Sequence, residues 1–279
     1  MSRFRLVSAE WVEQRLASPE FLVLDPRSVV RYMAGHPKNA VNFPVARQRD
    51  ANGRLLSPEE LARRLGSVGL DAKHTPVLYD NADGRNAAFL AWILVYLGCD
   101  DVCIMETFWE QWLADRREIF YRPVQPTPRN FFARLRAEVR ATITDVQKHV
   151  QKSATAKLLD LRTTEEFSGK PEFGPRPGRI PGAAHLGCEQ IGANGKILRP
   201  PCELEAILAS RGLKGSTPAI MYCQTGVRAA LGFLALDQLG RSASLYDGSY
   251  SEWSAAGLPV ENDFQQSEGK NEKGENAHA

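Results

Sequence analysis

The chain repeats itself. FLVLDPR, ending at Arg27, has a degenerate counterpart in KLLDLR, ending at Arg162, and similar pairs recur about 140 residues apart. AGHPKNAVNFP pairs with PGRIPGAAHLG, NGRLLSPEELARRLGSVGL with NGKILRPPCELEAILASRGL, and TPVLYDNADGRNAA with TPAIMYCQTGVRAA, all in the same order. Solenoid units span only roughly 20–50 residues, so a period this long dictates two tandem domains on one plan.

Within each half, short apolar runs alternate with helical patterns. FLVLD ends at an Asp and KLLDL carries one as its fourth residue, and VLY and AIMY follow Thr-Pro. Runs without polar alternation are strands covered on both faces, as in a parallel sheet. SPEELARRLGSVGL has a Ser cap, an early Pro, acidic residues in its first turn and a closing Gly, the marks of a helix. The order strand, helix, strand, helix predicts an α/β fold, each half a mainly parallel sheet flanked by helices. The expected division is 1–121 for the first domain, 122–141 for a proline-bearing linker packed along both domains, 142–262 for the second domain, and 263–279 for a polar, disordered tail.

Composition narrows the function. Hydrophobic residues make up 43% and charged ones 24%, a globular balance, and the net charge of +2 gives no reason to expect nucleic acid or a membrane surface as partner. AAFLAWILVYLGC, the longest apolar run, is too short to span a bilayer and reads as a buried helix. The N-terminus lacks the apolar stretch of an export signal, and the 5 cysteines are odd in number without framework spacing, so free thiols in a cytoplasmic setting are expected.

One cysteine stands apart. In AIMYCQTGVRAA, Cys223 ends a strand-like run and precedes a helical pattern (Val227, Leu231, Leu234, Ala235, Leu239). This places its sulfur at the carboxyl edge of a parallel sheet, where open α/β folds bind ligands. Loop amides and a helix N-terminus form a cradle for negative charge there, and Arg228 adds a permanent cation. Such a setting favours a thiolate, making Cys223 the expected nucleophile. No histidine base neighbours it in sequence, although His185 could approach in space; a pre-formed thiolate needs none. Cys99 and Cys103, spaced C-x3-C without a paired ligand, read as packed thiols and not as a metal site. Cys188 and Cys202 lie in a loop and at a helix start, and a resolving role for either is the weaker reading.

At these residues the chain resembles the rhodanese family, specifically its tandem-domain thiosulfate and 3-mercaptopyruvate sulfurtransferases, from Val7 to about Val260. LLDLRTTEEFSG leading to GRIPGA, the loop CQTGVR, and YDGSYSEW carry the resemblance. It implies two tandem rhodanese-like domains and transfer of a sulfane sulfur from thiosulfate to cyanide or a thiol through a Cys223 persulfide. The loop residues Gln224, Thr225, Gly226, Val227 and Arg228 would hold donor and persulfide, with Arg179 as a further donor contact. It implies no metal, nucleotide or organic cofactor, and leaves a protein sulfur acceptor open as a partner. Asp80 takes the position of Cys223 in the first half, so that half should be inactive, with Asp80 and Arg85 forming a local ion pair.

Glu166 replaces the family's donor-binding Arg, and Arg179 its usual His before IPGA. Arg162 is as readily a brace as a substrate contact. In YDGSYSEW, Ser251 reads as a helix cap and Trp253 as a candidate pocket wall. Arg228 favours thiosulfate, a dianion, while Glu166 works towards 3-mercaptopyruvate. Two rival functions remain. A cysteine phosphatase or arsenate reductase needs five residues between Cys and Arg, whereas four intervene here. A non-catalytic sulfur relay or regulatory module would share the fold.

Overall fold

The computed structural model describes residues 2–152 and 155–264, and the expected tail lies outside them except for Asp263 and Phe264. Among the described residues, ten strands form two five-stranded parallel sheets. The first contains β1 (Phe4–Val7), β2 (Phe21–Asp25), β3 (Val41–Asn42), β4 (Thr75–Leu78) and β5 (Val102–Met105), ordered β1-β5-β4-β2-β3. The second contains β6 (Arg140–Ala141), β7 (Lys157–Asp160), β8 (Ala184–His185), β9 (Ala219–Tyr222) and β10 (Ala243–Tyr246), ordered β6-β10-β9-β7-β8. The same order in both halves is the sequence repeat in three dimensions. β5 and β9 are buried at every residue, as unbroken apolar runs require when helices cover both sheet faces.

The repeat extends to buried ion pairs. Asp25 and Asp160, at the ends of β2 and β7, each hold an Arg two residues on at 2.7 Å. Arg27 also donates to the Gly35 carbonyl and Arg162 to the Gly178 carbonyl. Each guanidinium thus braces a strand end to the following loop through Nε and Nη2.

Two helices set the relation between the domains. Arg85–Tyr96 is buried from Ala87 onward, and Ala229–Gln238 is buried as far as Asp237. Each is apolar all round because one side packs on its own sheet and the other meets the opposite helix. Side chains such as Phe89, Trp92 and Phe233 are each worth about 1.5–3 kcal/mol when fully buried, so the seam is an extension of the core and not a loose hinge. At its edge Arg3 pairs with Asp237 at 2.7 Å.

The connecting segment runs along the first domain. The amides of Arg129 and Arg134 donate to the carbonyls of Gly66 and Leu97, and the Trp92 indole donates to Val139. Gly66 permits this approach, since a Cβ there would stand 2.5 Å from the Arg129 carbonyl oxygen. The segment's last two residues, Arg140–Ala141, already form β6 of the second sheet. No helix among the described residues is long and apolar enough to cross a membrane.

Candidate active site

β9 ends at Tyr222, and the next residue, Cys223, is 1% exposed at the carboxyl edge of the sheet. The helix Ala229–Gln238 starts six residues later, so residues 223–228 must turn sharply between strand and helix. Gly226 makes the turn at φ +92°, a conformation that favours glycine. Its N–H donates to Cys223 Sγ at 3.1 Å. Of the expected loop amides, this is the one in hydrogen-bonding geometry with the sulfur among the described residues.

A second loop holds the first from behind. Ser249, at φ +55°, accepts the Cys223 N–H at 3.2 Å and donates to the Tyr246 carbonyl at 2.8 Å. The Tyr250 amide donates to the Cys223 carbonyl at 3.0 Å. Ser251 hydroxyl donates to the Gln224 carbonyl at 2.8 Å and accepts from the Gln224 side chain at 3.2 Å. The DGSYSEW segment therefore braces the cysteine loop, and Gln224 is engaged in that brace. Trp253 lies in the core, its indole donating to the Pro259 carbonyl.

Arg228 forms a two-point pair with Glu166, at 2.6 and 2.8 Å. Burial works against the arginine's charge, but the Glu166 bond together with the charges of Cys223, Glu166 and Cys188 outweighs it and raises its pKa. Burial likewise opposes the Glu166 carboxylate, yet Arg228 and the Thr163 amide hold it below the usual range. Arg228 therefore enters the site with its charge matched.

Arg179 is committed elsewhere. Its guanidinium meets Glu261 at 3.2 Å and Asp263 at 2.8 Å and stacks over Phe167. His185 contacts the Arg162 carbonyl through Nε2. Neither residue lines the cleft beside the loop.

That cleft, about 460 Å³, lies between the domains. Thr225, Val227 and Arg228 form one side, while Arg27, Arg31 and Arg85 of the first domain contribute to the other. Three of the four arginines have carboxylate partners: Asp25 for Arg27, Asp83 for Arg85 and Glu166 for Arg228. Arg31 has no ion pair among the described residues, leaving a positive balance suited to a small anion.

The equivalent loop of the first domain is filled by its own side chain. Asp80 accepts from the amides of Asn81, Asn86 and Ala87 at 2.9, 2.7 and 3.1 Å and from the Asn86 side chain. Burial raises its pKa to about 6 against those bonds. The expected Asp80–Arg85 pair is absent: Arg85 turns to Asp83 at 2.5 Å, because the Asp80 oxygens point inward to backbone N–H groups. A carboxylate has no sulfur to transfer.

Burial disfavours the thiolate at three of the other cysteines. Burial pushes Cys99 up to about 12 and Cys103 up to about 11, and also raises Cys188. No cluster among the described residues could hold a metal ion.

The description "Rhodanese-like domain" matches twice, over residues 8–115 and 142–256. An Escherichia coli 3-mercaptopyruvate sulfurtransferase is 30% identical, covering 94% of this chain and 99% of its own. A Corynebacterium glutamicum thiosulfate sulfurtransferase is also 30% identical, over 92% of this chain and 90% of its own. A crystal structure of an Escherichia coli 3-mercaptopyruvate sulfotransferase superimposes with TM-score 0.80 at 27% identity, covering 88% of this chain and 98% of that one.

Proposed function

The chain belongs to the rhodanese family of sulfurtransferases, and on that premise we propose that it transfers sulfane sulfur from thiosulfate through a persulfide on Cys223. The observation that carries this reading is the Cys223 sulfur itself, at a strand end, held by the Gly226 amide, in a loop that opens on an arginine-lined cleft.

In the first half-reaction the Cys223 thiolate attacks the outer sulfur of thiosulfate. A new S–S bond forms, the donor's S–S bond breaks, and sulfite leaves with the electron pair. The persulfide anion keeps a single negative charge in the loop. In the second half-reaction cyanide or a thiolate attacks the terminal sulfur, giving thiocyanate or a small persulfide and restoring the thiolate. The Gly226 amide stabilises anionic sulfur at both stages. Thr225, Val227 and Arg228 form the rim on which the donor rests, and Gln224 fixes the loop through Ser251.

3-Mercaptopyruvate is the second reading, with pyruvate as the leaving product. The Arg228–Glu166 pair favours it, because matching that cation weakens the site's preference for a dianion over a monoanion. Steady-state turnover of each donor with cyanide as acceptor separates the two. The thiosulfate reading requires the higher kcat/KM with thiosulfate, and a clear advantage for 3-mercaptopyruvate overturns it.

A further inference from the structure

The first domain lacks a usable nucleophile, yet one of its side chains reaches the catalytic loop. Arg49 follows the short helical turn Val45–Gln48. Its Nη1 donates to the Gly53 carbonyl at 2.6 Å and its Nη2 to the Thr225 carbonyl at 2.5 Å. The guanidinium stacks over Phe89, 4.8 Å from the ring centre, on the helix that forms the domain seam. It also packs on the bare face of Gly226, where a Cβ would lie 3.3 Å from Nη2. Arg49 thus touches the residue whose amide holds the Cys223 sulfur.

Its charge balance differs from that of Arg228. No carboxylate among the described residues lies within ion-pair distance of Arg49, whereas Glu166 neutralises Arg228. The charged groups that act on Arg49 are Asp247, Arg140 and Cys223. Asp247 is already spent on Arg140, at 2.7 and 3.0 Å. Arg49, Arg140 and Asp247 together leave one uncompensated positive charge, and an anionic sulfur at Cys223 would balance it.

Resting on the reading of Cys223 as the sulfur carrier, we propose that Arg49 of the first domain is a positioning residue for the reaction: it anchors the catalytic loop at Thr225 and provides the counter-charge to the Cys223 sulfur anion. One active site is then built from both domains, and the inactive half is needed for more than stability. The repeat supports an acquired role. Aligning Asn52 with Asn194 sets Arg49 opposite Ile191, a fully buried apolar residue of the second domain.

The test compares Arg49→Lys, Arg49→Gln and Arg49→Ala in the full chain, by kcat and KM with each donor, iodoacetamide alkylation of Cys223 at neutral pH, and thermal unfolding. The expected result is a roughly 10- to 100-fold loss of kcat/KM for Ala and Gln, smaller than the ~10²–10³ of a lost oxyanion donor because Arg49 acts through the loop. Cys223 alkylation should slow in parallel, Lys should recover part of the loss, and added guanidinium should raise the activity of Arg49→Ala. Unchanged kcat/KM and alkylation in Arg49→Gln overturn the proposal. An equal loss in all three variants with no guanidinium response also overturns it, since that is loss of packing alone. If the unaltered protein transfers no sulfur, the reading of Cys223 fails, while alkylation still decides whether Arg49 acts on its thiol.

Discussion

Replacing Gly226 by alanine should separate the chemistry of the loop from the stability of the domain. Gly226 sits at φ +92°, and an added Cβ would lie 2.9 Å from the Asp247 carbonyl oxygen and 3.1 Å from its Cα. Both obstacles are backbone, so the loop itself must move. A left-handed conformation costs an L-residue roughly 1–2 kcal/mol, and relieving the contact requires a shift of a few tenths of an ångström or more. In a chain of this size about 2 kcal/mol lowers Tm by roughly 4–8 °C, leaving the protein folded at 25 °C. The same movement takes the Gly226 amide from its 3.1 Å position on Sγ. Misplacing a catalytic contact by about 1 Å costs on the order of 10²-fold in rate, so this smaller shift should lower kcat roughly 10- to 100-fold while thiosulfate KM changes far less. Stopped-time thiocyanate assays on the folded variant, with calorimetry in parallel, measure both effects. Full kcat in a Gly226→Ala protein with the lowered Tm would refute the role given to this amide.

Glu166→Gln should release the Arg228 charge and lower the KM for thiosulfate several-fold, more than for 3-mercaptopyruvate, at a stability cost of about 1–3 kcal/mol; paired donor kinetics and Tm check this. Arg179→Ala should lower Tm through loss of Glu261 and Asp263 while changing KM for either donor less than about twofold; a tenfold rise in KM would return Arg179 to the donor site. Asp80 is raised from 3.8 to about 6 by burial, so its folded form holds a proton that the unfolded chain has lost over that range. Its contribution is therefore present below pH ~4 and lost as pH rises through ~6, a span of about 3 kcal/mol. Denaturant unfolding of Asp80→Asn against the unaltered protein should show that difference growing across this window, and parallel curves would contradict it.

The strands were plain in the sequence because burial on both faces leaves an unbroken apolar run, as in AIMY and VCIM. The cysteine was equally plain, since a strand end, a positive-φ glycine and a helix start fall within one short segment. Partners distant in the chain were not. Arg179 resembled a free cation because Glu261 and Asp263 lie some 80 residues away, at the end of the second domain. Ser249 carries no sequence signal of its own, although its hydroxyl accepts the Cys223 amide. Arg49 left no trace in the repeat, because its counterpart is an ordinary core isoleucine. Glu166 was visible as a reversal of charge, but its two-point pairing with Arg228 emerges only when the helix Thr164–Ser168 packs beside the loop.

Mass spectrometry of the thiosulfate-treated protein, with peptide mapping and a Cys223→Ser control, addresses sulfur transfer most directly. A gain of one sulfur atom confined to the Cys223 peptide, absent from the control and discharged by cyanide, is the predicted outcome. An adduct on Cys188 or another thiol, or no adduct while turnover proceeds, would contradict it.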